Sequence, residues 1–370
     1  MRRIFAVSII LLTSIVSVIS VQCQETAKGY IDEGRALSSQ GRYEEAALAY
    51  DNATRLDPGS AAAWKEKCLV LDMAGRYDEA IQACDMALSL NPEDDMAMSF
   101  KGMVLVNQSK YDEADEAFEE ALRQNPKNCL AMSGKGLSLA YEGKLFQSIG
   151  MLFDVAICMN PNISESWASK ADYLSSIGQY DECLEAYDEA IRLNSRFRDA
   201  WTNKGVALSS LGRQKEAVEC YNQAIQIDPG YALSWYNLGY ALQIQKNYTE
   251  SIRAYDEAIR LDPGYAAAWN GKAAALLPPG RYGESLVASE EAIRLDPDLS
   301  QAWNNKGSAL GELGRNEEAL LSFEEAIRLD AGYVKAWINK GMCLQSLGRM
   351  DEAGQAFAKA NELQKVEAKA

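Results

Sequence analysis

The sequence predicts an all-α solenoid of about ten helix–turn–helix units, and three observations carry that reading. Trp167, Trp201, Trp235, Trp269, Trp303 and Trp337 follow one another at intervals of 34 residues, the period of a two-helix repeat. Alanine stands at one place in every unit: Ala53, Ala87, Ala121, Ala156, Ala190, Ala224, Ala258, Ala292, Ala326 and Ala360. Apolar residues keep the spacing of a single helix face, as at Trp235, Leu238, Gly239 and Leu242.

At the N-terminus, Arg2 and Arg3 precede an apolar and Ser/Thr run from Ile4 to about Val21. Residues 1–23 therefore read as a signal peptide or, being about the ~20 residues that span a bilayer, an N-terminal membrane anchor. The chain is expected to be exported, as a secreted or cell-surface protein or, alternatively, as one anchored in the membrane with its repeats outside. Units start near residues 27, 61, 95, 129, 164, 198, 232, 266, 300 and 334 and fill 27–367, leaving 368–370 as a tail. The register runs back from Trp167 through Met132, Met98, Trp64 and Tyr30, with one residue inserted between Met132 and Trp167.

Within a unit, the first helix ends in a turn such as Gly41-Arg42-Tyr43 or Gly75-Arg76-Tyr77, where glycine supplies the left-handed conformation. A second helix follows, as at Ile252, Tyr255 and Ile259. Asp-Pro-Gly closes the unit at Asp57-Pro58-Gly59, Asp228-Pro229-Gly230 and Asp262-Pro263-Gly264; proline cannot continue a helix, and Asp and Gly favour the turn. Four residues after each Trp or its equivalent stand Gly34, Cys68, Gly102, Gly136, Ala171, Gly205, Gly239, Ala273, Gly307 and Gly341. Small groups there let the paired helices approach closely.

This order of Trp, Gly, Ala, aromatic, Ala and Pro resembles the tetratricopeptide repeat family across 27–367. The resemblance implies a right-handed superhelix whose first helices line a concave groove. It also implies a non-enzymatic scaffold that binds an extended peptide or a partner protein in that groove. Asn203, Asn237, Asn305 and Asn339 stand two residues after successive Trp residues, interrupted by Gly271. An amide both donates and accepts, so each could clip a peptide bond. Similar asparagine ladders line the groove of family members that bind extended peptides, and the resemblance carries that role onto these four. A solvated surface asparagine inherited by duplication is the alternative.

The unit at 266–299 carries Gly271, Ala274 and Ala275, and Leu276-Leu277-Pro278-Pro279-Gly280 ends its first helix early. A local dent is expected, bordered by Tyr236, Tyr240, Asn270 and Asn304 and able to grip a bulky side chain; relaxed packing in a divergent unit is the alternative.

Eight residues break the family pattern by placing lysine just before the small residue: Lys67, Lys101, Lys135, Lys170, Lys204, Lys272, Lys306 and Lys340. Their stems are expected to cover apolar neighbours while their ammonium groups meet acids such as Asp78-Glu79 or Asp112-Glu113. A basic stripe for an acidic ligand is the competing reading.

Hydrophobic residues make up 48% of the chain, enough for a core, and the net charge of −16 argues against nucleic acid. Histidine is absent, which removes the usual general base and the commonest metal ligand. No Walker A loop, nucleophile elbow or metal cluster is present, so no enzyme, cofactor or metal is expected. Among eight cysteines most read as small core residues; Cys68 and Cys84 lie on helix faces that should meet, and a buried pair of free thiols is expected over an oxidised one. The last unit lacks a further capping helix, which leaves self-association open. A structural or self-associating envelope component is therefore the alternative function.

Overall fold

The computed structural model describes residues 26–367, and their regular structure is entirely helical. First helices are α1 (26–39), α3 (Ala61–Met73), α5 (Asp95–Asn107), α7 (Cys129–Tyr141), α9 (Ser164–Ser176), α11 (Arg198–Ser210), α13 (Ala232–Ile244), α15 (Ala266–Leu276), α17 (Ser300–Glu312) and α19 (Val334–Ser346). Second helices are α2 (Tyr43–Leu56), α4 (Tyr77–Leu90), α6 (Tyr111–Gln124), α8 (Leu145–Met159), α10 (Tyr180–Leu193), α12 (Gln214–Ile227), α14 (Tyr248–Leu261), α16 (Tyr282–Leu295), α18 (Asn316–Leu329) and α20 (Met350–Glu367). The chain divides into two compact bodies, one ending at Lys170 and the other starting at Ala171. The expected signal or anchor at 1–23 and the tail at 368–370 lie outside the described residues. No described helix is long and apolar enough to cross a membrane.

Helix starts are chemically explicit. Ser60, Asp94 and Asn128 cap α3, α5 and α7 by accepting the N–H of Ala63, Ala97 and Ala131, satisfying donors that the first turn leaves open. The turn inside each unit needs a left-handed residue, which is Gly75 at φ 76° in one unit but Ser109 at φ 60° and Lys246 at φ 61° in two others.

Close helix approach explains the small residue after each Trp. A Cβ on Gly102 would come within 2.6 Å of the Phe118 ring, and one on Gly307 within 2.6 Å of Phe323. The aromatic ring of the second helix thus packs directly against bare backbone. Cys68 and Cys84 hold these same two places in their unit and are joined by a disulfide with Cα atoms 5.3 Å apart, so the free thiol pair expected from sequence is corrected to a bridge. A second disulfide, Cys129–Cys158, ties the start of α7 to the end of α8. Cys183, Cys220 and Cys343 are buried thiols, and Cys23 lies outside the described residues.

The inserted residue falls in α8, which has 15 residues where the second helices before and after it have 14. Rotation beyond the insertion leaves Ala156 exposed, whereas the other nine alanines of the series are buried. Helix α15 does end early, at Leu276 before the two prolines, with 11 residues. At the other end, α20 exposes Gln355, Asn361, Glu362 and Lys365. Met350 and Ala358 are exposed on the same helix.

Candidate peptide-binding face

Successive units are joined by a repeated chain of contacts that begins at the turn. Asp262 accepts the N–H of Gly264 at 2.9 Å, closing the turn, and the indole N–H of Trp269 donates to the Pro263 carbonyl at 3.1 Å. All seven tryptophans donate in this way to the carbonyl six residues earlier. Over the ring of Trp269 lies Lys272 Nζ, 5.5 Å from its centre, and the same ammonium pairs with Asp256 at 2.6 Å.

Each of the eight file lysines pairs with an acid 16 residues earlier, on the second helix of the preceding unit: Lys67 with Asp51, Lys101 with Asp85, Lys135 with Glu119, Lys170 with Asp154, Lys204 with Asp188, Lys272 with Asp256, Lys306 with Glu290 and Lys340 with Glu324. The ion-pair partners are not the first-turn acids expected from sequence, although Lys67 does act on Glu79 at longer range and helps to hold its carboxyl below the ordinary value. Asp78-Glu79 and Asp112-Glu113 belong to the lysine's own unit, while the ammonium reaches back across the junction. Leu238 breaks the lysine file, and the residue 16 before it is Asn222, so both members of that pair are neutral. Lys101 and Lys204 line grooves between second helices; the file therefore faces the second-helix side, its charge already matched.

The asparagines lie on the first-helix side. The amide of Asn305 donates to Asn270 Oδ1 at 2.8 Å, and that of Asn339 donates to Asn304 Oδ1 at 2.8 Å and to Ser308 Oγ at 3.4 Å. Asn203 donates to Asp172 at 3.0 Å. Three of the four amides therefore clasp the neighbouring first helix. Asn237 alone has no side-chain partner, and it is half-buried. Asn304 is fully buried and Asn305 is 5% exposed, so these two lie beneath the surface at which sequence placed them. Asn304 also leaves its Nδ2 unpaired in the interior.

The expected dent at Gly271 is filled. A Cβ there would meet the Tyr255 ring at 2.5 Å, so the missing side chain makes room for an aromatic from the preceding unit. Tyr236 packs against Tyr255 and Tyr265 with ring centres 5.9 and 5.1 Å apart. Burial raises the Tyr236 hydroxyl above its ordinary pKa and brings that of Tyr265 to about 12. Tyr240 stays half-exposed, as do Val206, Ile244 and Met342, three apolar positions that sequence reading left out. Between α17 and α19 a cavity of about 250 Å³ is lined by Ser308, Glu312, Asn339, Met342 and Ser346 above Gly307 and Gly311. It offers amide and hydroxyl groups around one flexible apolar side chain. No group of described residues could hold a metal ion.

Models of the tetratricopeptide repeat match residues 31–95, 101–154, 164–197, 232–265 and 304–364, and a TPR repeat model matches 207–245. No curated protein matches the sequence. Among solved structures, the chain is similar to a chain of the APC/C hetero-tetramer Cut9–Hcn1, at 14% identity and a TM-score of 0.51, covering 91% of this chain and 73% of that one. YrrB, a TPR protein with an unusual peptide-binding site, matches at 23% identity and a TM-score of 0.44 over 50% of this chain and 95% of its own. Yeast Tom70 matches at 16% identity and a TM-score of 0.42 over 92% of each chain. The 34-residue period, the Gly–aromatic contacts and the family models agree, and the chain belongs to the tetratricopeptide repeat family.

Proposed function

We propose that the chain is a non-enzymatic scaffold that holds an extended peptide or a segment of a partner protein against the first helices α11, α13, α15, α17 and α19. A tetratricopeptide array is a protein-interaction scaffold, and the observation that carries the finer reading is the unpaired amide of Asn237 beside half-exposed Tyr240. A free amide can both donate to and accept from a peptide bond, and the tyrosine adds a large contact area with a polar tip. Asn203 and Asn339 extend the row on either side, with Asn270, Asn304 and Asn305 holding the helices behind them. Tyr236 packs behind this face against Tyr255 and Tyr265.

Two disulfides favour export behind residues 1–23, because such bridges persist in oxidising compartments and are rare in reducing ones. A photo-crosslinking residue at position 240 tests the reading against one at Arg253, on the exposed side of α14. Partner adducts should form at 240 and be absent at 253. Adducts at 253 alone would refute the first-helix assignment.

A further inference from the structure

Helix α8 departs from every other second helix. The other nine carry Asp or Glu in their first turn, and α8 carries none. Its single charged residue, Asp154, is paired with Lys170 at 2.6 Å. Leu145 is 61% exposed, Ile149 42%, Leu152 59% and Met159 77%, with Ala156 exposed between the last two. These five residues are spaced alternately by four and three positions. That is the 3.5-residue repeat with which one helix receives another along a seam. Together they present on the order of 500 Å² of apolar surface, a size at which exposed patches mark interaction sites.

Charge indicates what covers this seam. Tyr141, the last residue of α7, stacks on Tyr111, the first of α6, with ring centres 5.5 Å apart. Helix α8 begins four residues further on at Leu145, so the start of α6 lies near the start of α8 and Asp112 acts on the Lys144 ammonium between them. Exposed Asp112 and Glu113 follow directly on α6, while the nearby Lys144 is taken by Glu142 at 2.8 Å. From this we propose that the α8 seam is a docking surface for a helix of a partner protein, apolar at every third and fourth residue and carrying Lys or Arg where it passes Asp112 and Glu113. A second copy is the poorer occupant, because each copy brings a net charge of −16 and its own Asp112 and Glu113 to the same contact. The proposal concerns the first body alone and does not depend on the asparagine face.

The test uses the full chain and a labelled synthetic three-heptad peptide with Leu at positions a and d and Lys at e and g, read by fluorescence anisotropy at physiological salt. The parent should bind it, the same peptide with Glu at e and g should not bind, and Asp112→Asn with Glu113→Gln should weaken binding several-fold. Leu145→Glu with Leu152→Glu, both on exposed positions, should weaken it by about tenfold or more, as loss of a central anchor does. Those Glu substitutions add negative charge, so unchanged or tighter binding by the double variant would expose plain charge attraction and overturn the proposal. Dimerisation of the parent in sedimentation equilibrium, abolished by the same double variant, would also overturn it by naming a second copy as the occupant.

Discussion

Lys272 holds its ammonium 5.5 Å from the ring centre of Trp269, so a lysine of one unit rests on the same unit's indole while reaching back to Asp256 of the preceding unit. The contact joins two units through one side chain. Replacing Lys272 with Ala removes the cation over the ring and one exposed ion pair. Urea denaturation should show a loss of about 1 kcal/mol, the sum expected from an exposed cation–π contact and a surface salt bridge. Leu238 has no such partner, so Leu238→Ala should instead show a loss that does not change with salt.

Lys246 and Ser109 sit at φ near 60° where most units have glycine. A side chain in that region costs roughly 1 kcal/mol, less the entropy that glycine adds to the unfolded chain. Lys246→Gly should therefore raise the urea midpoint slightly, and Gly75→Ala, made at the same turn place, should lower it. A fall for Lys246→Gly would mean that its side chain contributes something beyond the turn.

Both bridges, Cys68–Cys84 and Cys129–Cys158, lie in the first body, and the described part of the second has only buried thiols. Closing a loop of about 15 residues is worth ~3 kcal/mol in the chain-entropy model. Reduction should destabilise residues 61–163 in hydrogen exchange and leave those beyond 198 unchanged. Burial pushes the thiols of Cys183 and Cys220 up to about 11, so neither should react with a thiol reagent at pH 8 until the chain unfolds. Rapid labelling of either would contradict the packing described.

Asp94 links pH to stability. Burial raises its carboxyl, but the ammonium of Lys65 at 2.7 Å and the N–H of Ala97 at 3.0 Å outweigh that and hold it below its ordinary value. A carboxyl with a lowered folded pKa stabilises above its unfolded value, and the contribution disappears as pH falls through the folded one. Urea midpoints should therefore drop below about pH 4, near the ordinary aspartate pKa, and part of the drop should vanish in Asp94→Asn. Asp94→Ala, which also loses the cap, should cost about 1 kcal/mol at pH 7.

Much of this architecture was legible because it depends on local rules. The Trp period, the Asp-Pro-Gly turns, the small residue facing an aromatic ring and the early end of α15 at Pro278 all follow from spacing and backbone chemistry. What stayed hidden depends on how one unit meets the next. The lysines were visible as a file, but their partners, such as Asp256 for Lys272, are set by the step between units. Gly271 read as a void because the Tyr255 ring that fills it comes from the preceding unit. Cys129 and Cys158 could have been paired from sequence, since the start of one helix and the end of its antiparallel neighbour lie side by side. The asparagines were visible as a file, but not that Asn305 and Asn339 clasp Asn270 and Asn304 while Asn237 is left without a side-chain partner.

The central claim, that a partner is held on the first-helix face around Asn237 and Tyr240, is tested most directly by affinity capture from envelope extract with quantitative mass spectrometry. The parent is compared with a variant carrying Asn203→Ala, Asn237→Ala, Asn339→Ala and Tyr240→Ala, its fold checked by circular dichroism. The account predicts that the proteins enriched by the parent fall to background with the variant. Equal recovery by both folded proteins would contradict it.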